Sequence, residues 1–386
     1  MAMATEASAN GKDTRRLVMG NEAVALGALA AGCDFYAGYP ITPATEILEE
    51  MARALPRRGG VFLQMEDELA AMAAIIGAAW GGATAMTATS GPGFSLMQEN
   101  LGYASITQTP CVIIDSQRGG PSTGLPTLPS QGDAMQARFG THGDRPALVI
   151  TASSVKGCYD ATVLAFKLAK RHRMPVVLLF DAVVSHMREP VELPPPPPPP
   201  KRSFPKLKEG DARFGEAPFV PFGYGPITVV TGLSHGGDGL AETRRGVQTE
   251  AMIINSITKL EEDPEIRAEW TSDYRLDDAE VAIVTYGITA RAAREAVDQL
   301  RGKGVAAGLL DLRILWPFAE NRLREVASHA RTIIVPELNL GQMVMPVRAA
   351  VEGAAKVHQL NRADGTLLTP EDIAEFAISV QGGQDA

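Results

Sequence analysis

Val61-Phe62-Leu63-Gln64-Met65-Glu66-Asp67-Glu68-Leu69-Ala70-Ala71-Met72-Ala73-Ala74-Ile75-Ile76-Gly77-Ala78-Ala79-Trp80 reads as a strand, an acidic turn and a helix. The strand closes at Gln64, and the helix over 67–80 is so poor in polar side chains that it must be buried. A short apolar strand feeding a buried helix is the βα unit of a parallel sheet. The same alternation runs outward on both sides, from Asn21 to Phe180. Strands are expected at 34–37, 61–64, 84–87, 111–115, 147–150 and 175–180, and helices at 22–31, 44–54, 67–80, 96–105 and 155–172. This is an α/β pattern with helices on both faces of a parallel sheet, whose ligands sit beyond the carboxyl ends of the strands.

The chain has 386 residues, enough for two ordinary domains. Hydrophobic residues at 45% and a net charge of -9 describe a globular protein without general attraction to nucleic acid or anionic membranes. The apolar stretches are shorter than the roughly 20 residues that cross a bilayer. Residues 1–14 read as a polar frayed tail without the apolar core of a signal peptide, and a cytoplasmic location is expected. Cys33, Cys111 and Cys158 lie far apart in apolar settings and read as buried small hydrophobes, with no metal expected on this chain alone.

Residues 15–193 form the expected first domain. Pro194 to Pro200 end it, since seven prolines extend as a polyproline II spacer of about 3.1 Å per residue. The stretch 201–277 reads as an irregular arm, ordered by lying on a partner or on the first domain, with one helix near 249–260. Alternation resumes over 278–386 as a smaller α/β domain, with strands at 281–286, 306–311 and 332–336 and helices at 289–301, 319–330 and 343–355.

The turns of the first domain hold the candidate chemistry. Thr42 precedes Pro43 and reads either as a plain helix cap or as a cap that also contacts a ligand, because Tyr39-Pro40 stiffens the entry and a helix start favours a carboxylate or phosphate. Of Glu66, Asp67 and Glu68, acids in a first helical turn are stabilised by the helix dipole, yet one could turn inward and polarise a ring nitrogen. Ser90-Gly91-Pro92-Gly93 permits close backbone approach and matches no phosphate-loop spacing. Arg118, ahead of Gly119-Gly120-Pro121-Ser122-Thr123-Gly124, suits bidentate carboxylate binding, and Arg138, His142 and Arg145 add charge in the long loop that follows.

Taken in order, Tyr39-Pro40-Ile41-Thr42-Pro43-Ala44-Thr45-Glu46-Ile47, Glu66-Asp67-Glu68-Leu69-Ala70-Ala71, Thr87-Ala88-Thr89-Ser90-Gly91-Pro92-Gly93 and Arg118-Gly119-Gly120-Pro121-Ser122-Thr123-Gly124-Leu125-Pro126-Thr127 resemble the alpha subunit of 2-oxoacid:ferredoxin oxidoreductases, most of all the 2-oxoglutarate branch. Leu312-Arg313-Ile314-Leu315-Trp316-Pro317-Phe318 and Pro336-Glu337-Leu338-Asn339-Leu340-Gly341-Gln342 extend the likeness over roughly residues 15 to 355. The resemblance implies a thiamine-diphosphate-enzyme pyrimidine-type parallel-sheet domain followed by a smaller transketolase C-terminal-like domain. It implies thiamine diphosphate at a subunit interface, with Mg²⁺ and a [4Fe-4S] cluster on a partner beta subunit in an (alpha-beta)2 heterotetramer. Coenzyme A would accept the acyl group and ferredoxin the electrons of an oxidative decarboxylation that can be reversible.

The resemblance also assigns roles. A glutamate bonds the aminopyrimidine ring nitrogen, and counting back from the Ser-Gly turn puts that role on Glu66, with Glu68 as the fallback. Pro40, Ile41, Ser90 and Gly91 would line the cofactor, Thr42 would contact the 2-oxoacid, and Arg118 would bind its carboxylate. Some relatives place a basic residue directly after the Pro-Thr of this loop; here it is Leu128, so Arg138, His142 and Arg145 become the substitutes for a distal carboxylate. Gly237-Asp238-Gly239 with Asn255 has the wrong spacing for a diphosphate site. A branched-chain or aryl 2-oxoacid, or a non-catalytic scaffold subunit, stands as the competing reading.

Overall fold

The structure is a computed structural model, and it describes residues 15–382 apart from 200, 216 and 245. The expected tail at 1–14 and the last residue of the proline run lie outside the described residues. The chain opens with β1 (Arg16–Met19) and α1 (Gly20–Ala30), then β2 (Phe35–Gly38), α2 (Thr45–Ala54), β3 (Val61–Gln64) and α3 (Glu68–Trp80). Next come β4 (Ala85–Thr89), α4 (Pro92–Ile106), β5 (Cys111–Gly119), β6 (Leu125–Pro129), α5 (Ala134–Phe139), β7 (Val149–Ile150), α6 (Val155–His172), β8 (Pro175–Asp181), α7 (Ala182–His186) and β9 (Arg188–Val191).

These strands build a sheet of order β7-β8-β5-β4-β2-β3, all parallel. Every residue of β4, β5 and β8 is buried, which is why they read as unbroken apolar runs. The turns after β2, β3, β4 and β5 therefore emerge at one end of one sheet. Cys33, Cys111 and Cys158 are free and buried, and burial pushes each thiol up.

The arm leaves the proline run, where the Arg58 guanidinium donates to the Pro197 carbonyl, and crosses the back of the first domain. Phe219 packs tilted against Trp80 and Phe222 stacks on it, at ring separations of 4.8 and 5.4 Å, and Arg202 pairs with Asp34 at 2.6 Å. It lies on the first domain, one of the two placements expected for it, at the end of α3 opposite the acidic turn. Its helical part is α8 (Gly246–Glu261) and α9 (Pro264–Glu269).

The second sheet begins earlier than the expected boundary at 278. β10 (Thr271–Tyr274) pairs antiparallel with β12 (Ala307–Leu312), beside β11 (Val281–Thr285). α10 (Gly287–Gly302) lies between β11 and β12; after them come β13 (Ile314–Trp316), α11 (Glu320–Ala327), β14 (Thr332–Glu337), α12 (Val344–Val351), β15 (Lys356–Asn361) and α13 (Pro370–Gln381). The sheet order is β10-β12-β11-β14-β15, while β13 crosses over and pairs antiparallel with β7 of the first sheet. That exchange, together with buried bonds from Gln131 to Tyr286, Leu338 and Asn339, fixes the second domain against the end of the first sheet where the turns emerge.

Candidate active site

The acidic turn separates into three roles. Asp67 is the N-cap of α3, its side chain accepting the Ala70 amide at 2.7 Å. Glu66 is exposed, so the expected inward carboxylate at that position is not found there. Glu68 is 5% exposed and points under the turn after β4: a Cβ built on Gly93 would sit 2.4 Å from its Oε1 and 2.1 Å from the Thr89 hydroxyl. Only glycine fits at 93, because the space a side chain would need is taken by this carboxylate. The helix start explains the outcome, since Glu68 is the first helical residue and is buried while Glu66 precedes the cap and is exposed.

Around Glu68 the ends of β4 and β5 carry buried polar atoms without protein partners: the hydroxyls of Thr87, Thr89 and Ser90, Nε2 of Gln117 and Nε of Arg118. Native interiors rarely leave such a cluster unmatched unless a ligand or ordered water completes it. Gly91, at φ 38°, turns the chain there, and its amide donates to Asp115 at 3.1 Å. Asp115 in turn meets Asp133, which burial pushes up to about 6, while burial and that neighbour push Asp115 well above the ordinary carboxylate range.

The turn after β2 closes over the same end. Thr42 is exposed and is not the cap expected for α2, because the helix starts at Thr45 with Ala44 in the cap position. Arg118 is buried and donates to the Thr42 carbonyl at 2.8 Å. Pro40 is exposed and Ile41 half-buried, so both form an outer rim. Asn21, fully buried, anchors the turn by donating to the Pro43 carbonyl at 2.7 Å and to Glu46 at 2.8 Å. The hairpin β5-β6 projects beside it, and Gly124 at φ 52° is packed onto the Gly119 carbonyl.

Arg138, His142 and Arg145 do not join this cluster. Arg138 donates to the Arg145 carbonyl at 2.7 Å and lines a cavity of about 240 Å³ with Trp316 and Phe318. Arg145 is buried and donates to the Ala137 carbonyl at 2.6 Å, pinning its own loop. His142 is exposed, 3.8 Å from Glu99 along the flank of α4. The long loop is held by Arg138 and Arg145, which are therefore spent on backbone carbonyls. Leu128, where the resemblance left room for a basic residue, packs against Gly365 of the second domain.

Residues 26–247 match the family model described as pyruvate flavodoxin/ferredoxin oxidoreductase, thiamine diphosphate-binding, and residues 279–373 match pyruvate:ferredoxin oxidoreductase core domain II. The chain belongs to the 2-oxoacid:ferredoxin oxidoreductase family. It is 45% identical over 92% of its length to the 2-oxoglutarate synthase subunit KorA of Methanothermobacter marburgensis, covering 96% of that relative. The 2-oxoglutarate:ferredoxin oxidoreductase of Magnetococcus marinus, solved with 2-oxoglutarate, coenzyme A and succinyl-CoA bound, superposes on 95% of the chain at TM-score 0.84 and 32% identity; the chain spans 65% of that neighbour's length. A split-gene transketolase, at TM-score 0.56 and 16% identity over 95% of this chain and 98% of its own, shares the fold alone.

For this member of the oxidoreductase family the expected parallel-sheet domain followed in the chain by a smaller α/β domain is the observed architecture. Sequence reasoning missed Asn21, Asp115 and Asp133. A carboxylate closing the apolar run Cys111-Val112-Ile113-Ile114-Asp115 was the available signal for one of them.

Proposed function

We propose that this chain is the alpha-type subunit of a thiamine-diphosphate-dependent 2-oxoacid:ferredoxin oxidoreductase that converts 2-oxoglutarate and coenzyme A to succinyl-CoA and CO2, passing the electrons to ferredoxin. The observation that carries this reading is Glu68, buried under Gly93 at strand ends whose hydroxyls lack partners. The relative's name and the neighbour's bound molecules support the substrates. Thiamine diphosphate, when bound, supplies the electron sink that lets a 2-oxoacid lose CO2.

Glu68 holds or moves a proton at the pyrimidine ring nitrogen, taking the role the resemblance gave to Glu66. Pro40 and Ile41 wall the ring from outside, and Ser90 and Gly91 from the β4 turn. The exposed Thr42 hydroxyl and the Arg118 guanidinium bind the carboxylate of the 2-oxoacid. The relative is named as a subunit, and this chain acts in a multi-subunit complex. Its beta subunit supplies the diphosphate site, Mg²⁺ and the [4Fe-4S] cluster. Leu63, Leu69 and Leu96, at 41%, 44% and 44% exposure beside the same turns, give that subunit an apolar surface to cover. No helix of the described residues is long and apolar enough to cross a membrane.

A branched-chain 2-oxoacid is the second reading, favoured by the apolar Leu128 directly after Thr127. Reconstitution with the beta subunit decides between them. The complex is expected to reduce a low-potential acceptor with 2-oxoglutarate and coenzyme A, at a kcat/KM above that for any branched-chain or aryl 2-oxoacid. Preference for a branched-chain acid overturns the substrate, and no turnover with any 2-oxoacid leaves the scaffold reading.

A further inference from the structure

Arg118 lies 7% exposed at the end of β5 with a positive charge and no carboxylate within ion-pairing distance among the described residues. Its guanidinium gives one N–H to the Thr42 carbonyl, and its Nε is unpartnered. A buried cation needs a compensating charge, yet a carboxylate in direct contact would occupy the fork that should receive a substrate. The compensation comes from one layer deeper. Asp115 and Asp133 meet side by side, each with an Oδ2 that is buried and finds no donor. The other Asp115 oxygen accepts the Gly91 amide at 3.1 Å, and the Asp133 main chain is fixed by donation to Gln117 Oε1 at 3.1 Å.

We propose that Asp115 and Asp133 share a single proton and, as a pair of charge -1, are positioning residues that balance Arg118 without touching its fork, keeping it open to the 2-oxoacid carboxylate. This rests on the substrate role given to Arg118 above. Two carboxylates in contact cannot both ionise cheaply, so the pair retains one proton near neutrality. Burial pushes Asp133 up to about 6 and Asp115 well above the ordinary range, in keeping with that state. The groups facing the pair are the Arg118 guanidinium, the Gly91 amide, the Gln117 side chain and the Tyr286 hydroxyl of the second domain, with Glu68 across the Gly91–Gly93 turn. Loss of the shared proton at high pH doubles the negative charge beside the incoming carboxylate; uptake of a second proton at low pH removes the balance of Arg118. Substrate affinity is therefore greatest between the two ionisations.

The test uses the assembled oxidoreductase. KM for the 2-oxoacid in the unaltered complex is expected to rise on both the acid and alkaline sides, approaching tenfold per pH unit for one proton, with kcat less affected. Asp115→Asn keeps the acceptor for Gly91 and offers Asp133 a permanent N–H, so the alkaline rise in KM disappears. Asp115→Asn/Asp133→Asn removes the charge and raises KM about tenfold at every pH. An infrared difference between the unaltered and Asp115→Asn complexes at neutral pH should show one protonated carboxyl lost, a readout that needs no turnover. A wild-type pH profile of KM in Asp115→Asn, or no protonated carboxyl in the difference, overturns the pair. If no 2-oxoacid is turned over, the function of the preceding section fails, and the infrared band still decides the pair.

Discussion

The side-chain amide of Gln131 donates to the carbonyl of Tyr286 at 2.9 Å, joining the two sheets across 155 residues of sequence. Gln131 is fully buried, and its oxygen accepts the Leu338 amide at 3.0 Å, so every bond it makes beyond its own loop reaches the second domain. Replacing it leaves a buried carbonyl and a buried amide without partners, at about 1–3 kcal/mol each. Gln131→Leu is expected to lower stability by about 2–6 kcal/mol, read as a lower midpoint in urea unfolding. An unchanged midpoint would mean the domains are held by other contacts.

Glu68 and Glu66 give opposite expectations. Removing a group that transfers a proton in the reaction costs about 10²–10⁴-fold. Glu68→Ala should lose turnover by that factor while the complex still assembles; Glu66→Ala, at an exposed position, should stay within about threefold of the parent, the scale of a surface change. Steady-state reduction of a low-potential acceptor measures both, and the reverse ranking would return the role to Glu66.

Gly93 offers a steric version of the same test. A methyl group there would lie 2.4 Å from Glu68 Oε1 and 2.1 Å from the Thr89 hydroxyl, and one of them must move. Gly93→Ala should therefore lower kcat at least about tenfold, since misplacement of a catalytic group by about 1 Å has effects of that order or larger. Full turnover in this variant would place the reacting carboxylate elsewhere.

Arg118→Lys keeps the charge and loses the planar fork. The KM for the 2-oxoacid should rise about 10–100-fold, matching a charge-assisted bond of about 1.5–3 kcal/mol, with a smaller effect on kcat. A KM equal to the parent's removes Arg118 from the substrate.

Asp311 in β12 is half-buried with the Ser153 hydroxyl 3.4 Å away, and desolvation pushes its carboxyl up to about 7. The folded chain then binds a proton that the unfolded chain has released between its ordinary value near 4 and about 7. Its contribution to stability is full below that window, declines as pH rises through it, and is gone above about 7, at up to about 1.4 kcal/mol per pH unit. Asp311→Asn abolishes this loss, so the stability gap between variant and parent should widen in the variant's favour from about pH 4 to about pH 7, the edges of that window, in paired urea titrations. A constant gap would show that Asp311 stays ionised in the fold.

The alternation of strands and helices was legible because the strands of a doubly covered parallel sheet must be apolar throughout, as in Cys111-Val112-Ile113-Ile114. Elements outside that rule escaped it. β1 and β9 carry Arg16 and Arg188 on an exposed two-stranded ribbon, β6 holds two prolines in a hairpin, and β13 reads as a connection because its partner belongs to the other sheet. Arg138 and His142 looked like site residues because the loop is long and basic; the cations pin that loop or face solvent.

The βα order, the second α/β domain and the turns that follow the strands are written along the chain, because hydrophobic period and turn chemistry are local. Which acid of 66, 67 and 68 faces inward, that Arg118 reaches Thr42, and that Asp115 meets Asp133 were decided only by tertiary structure. Each depends on where a side chain lands after the sheet has twisted and the helices have packed, and no spacing along the chain encodes that.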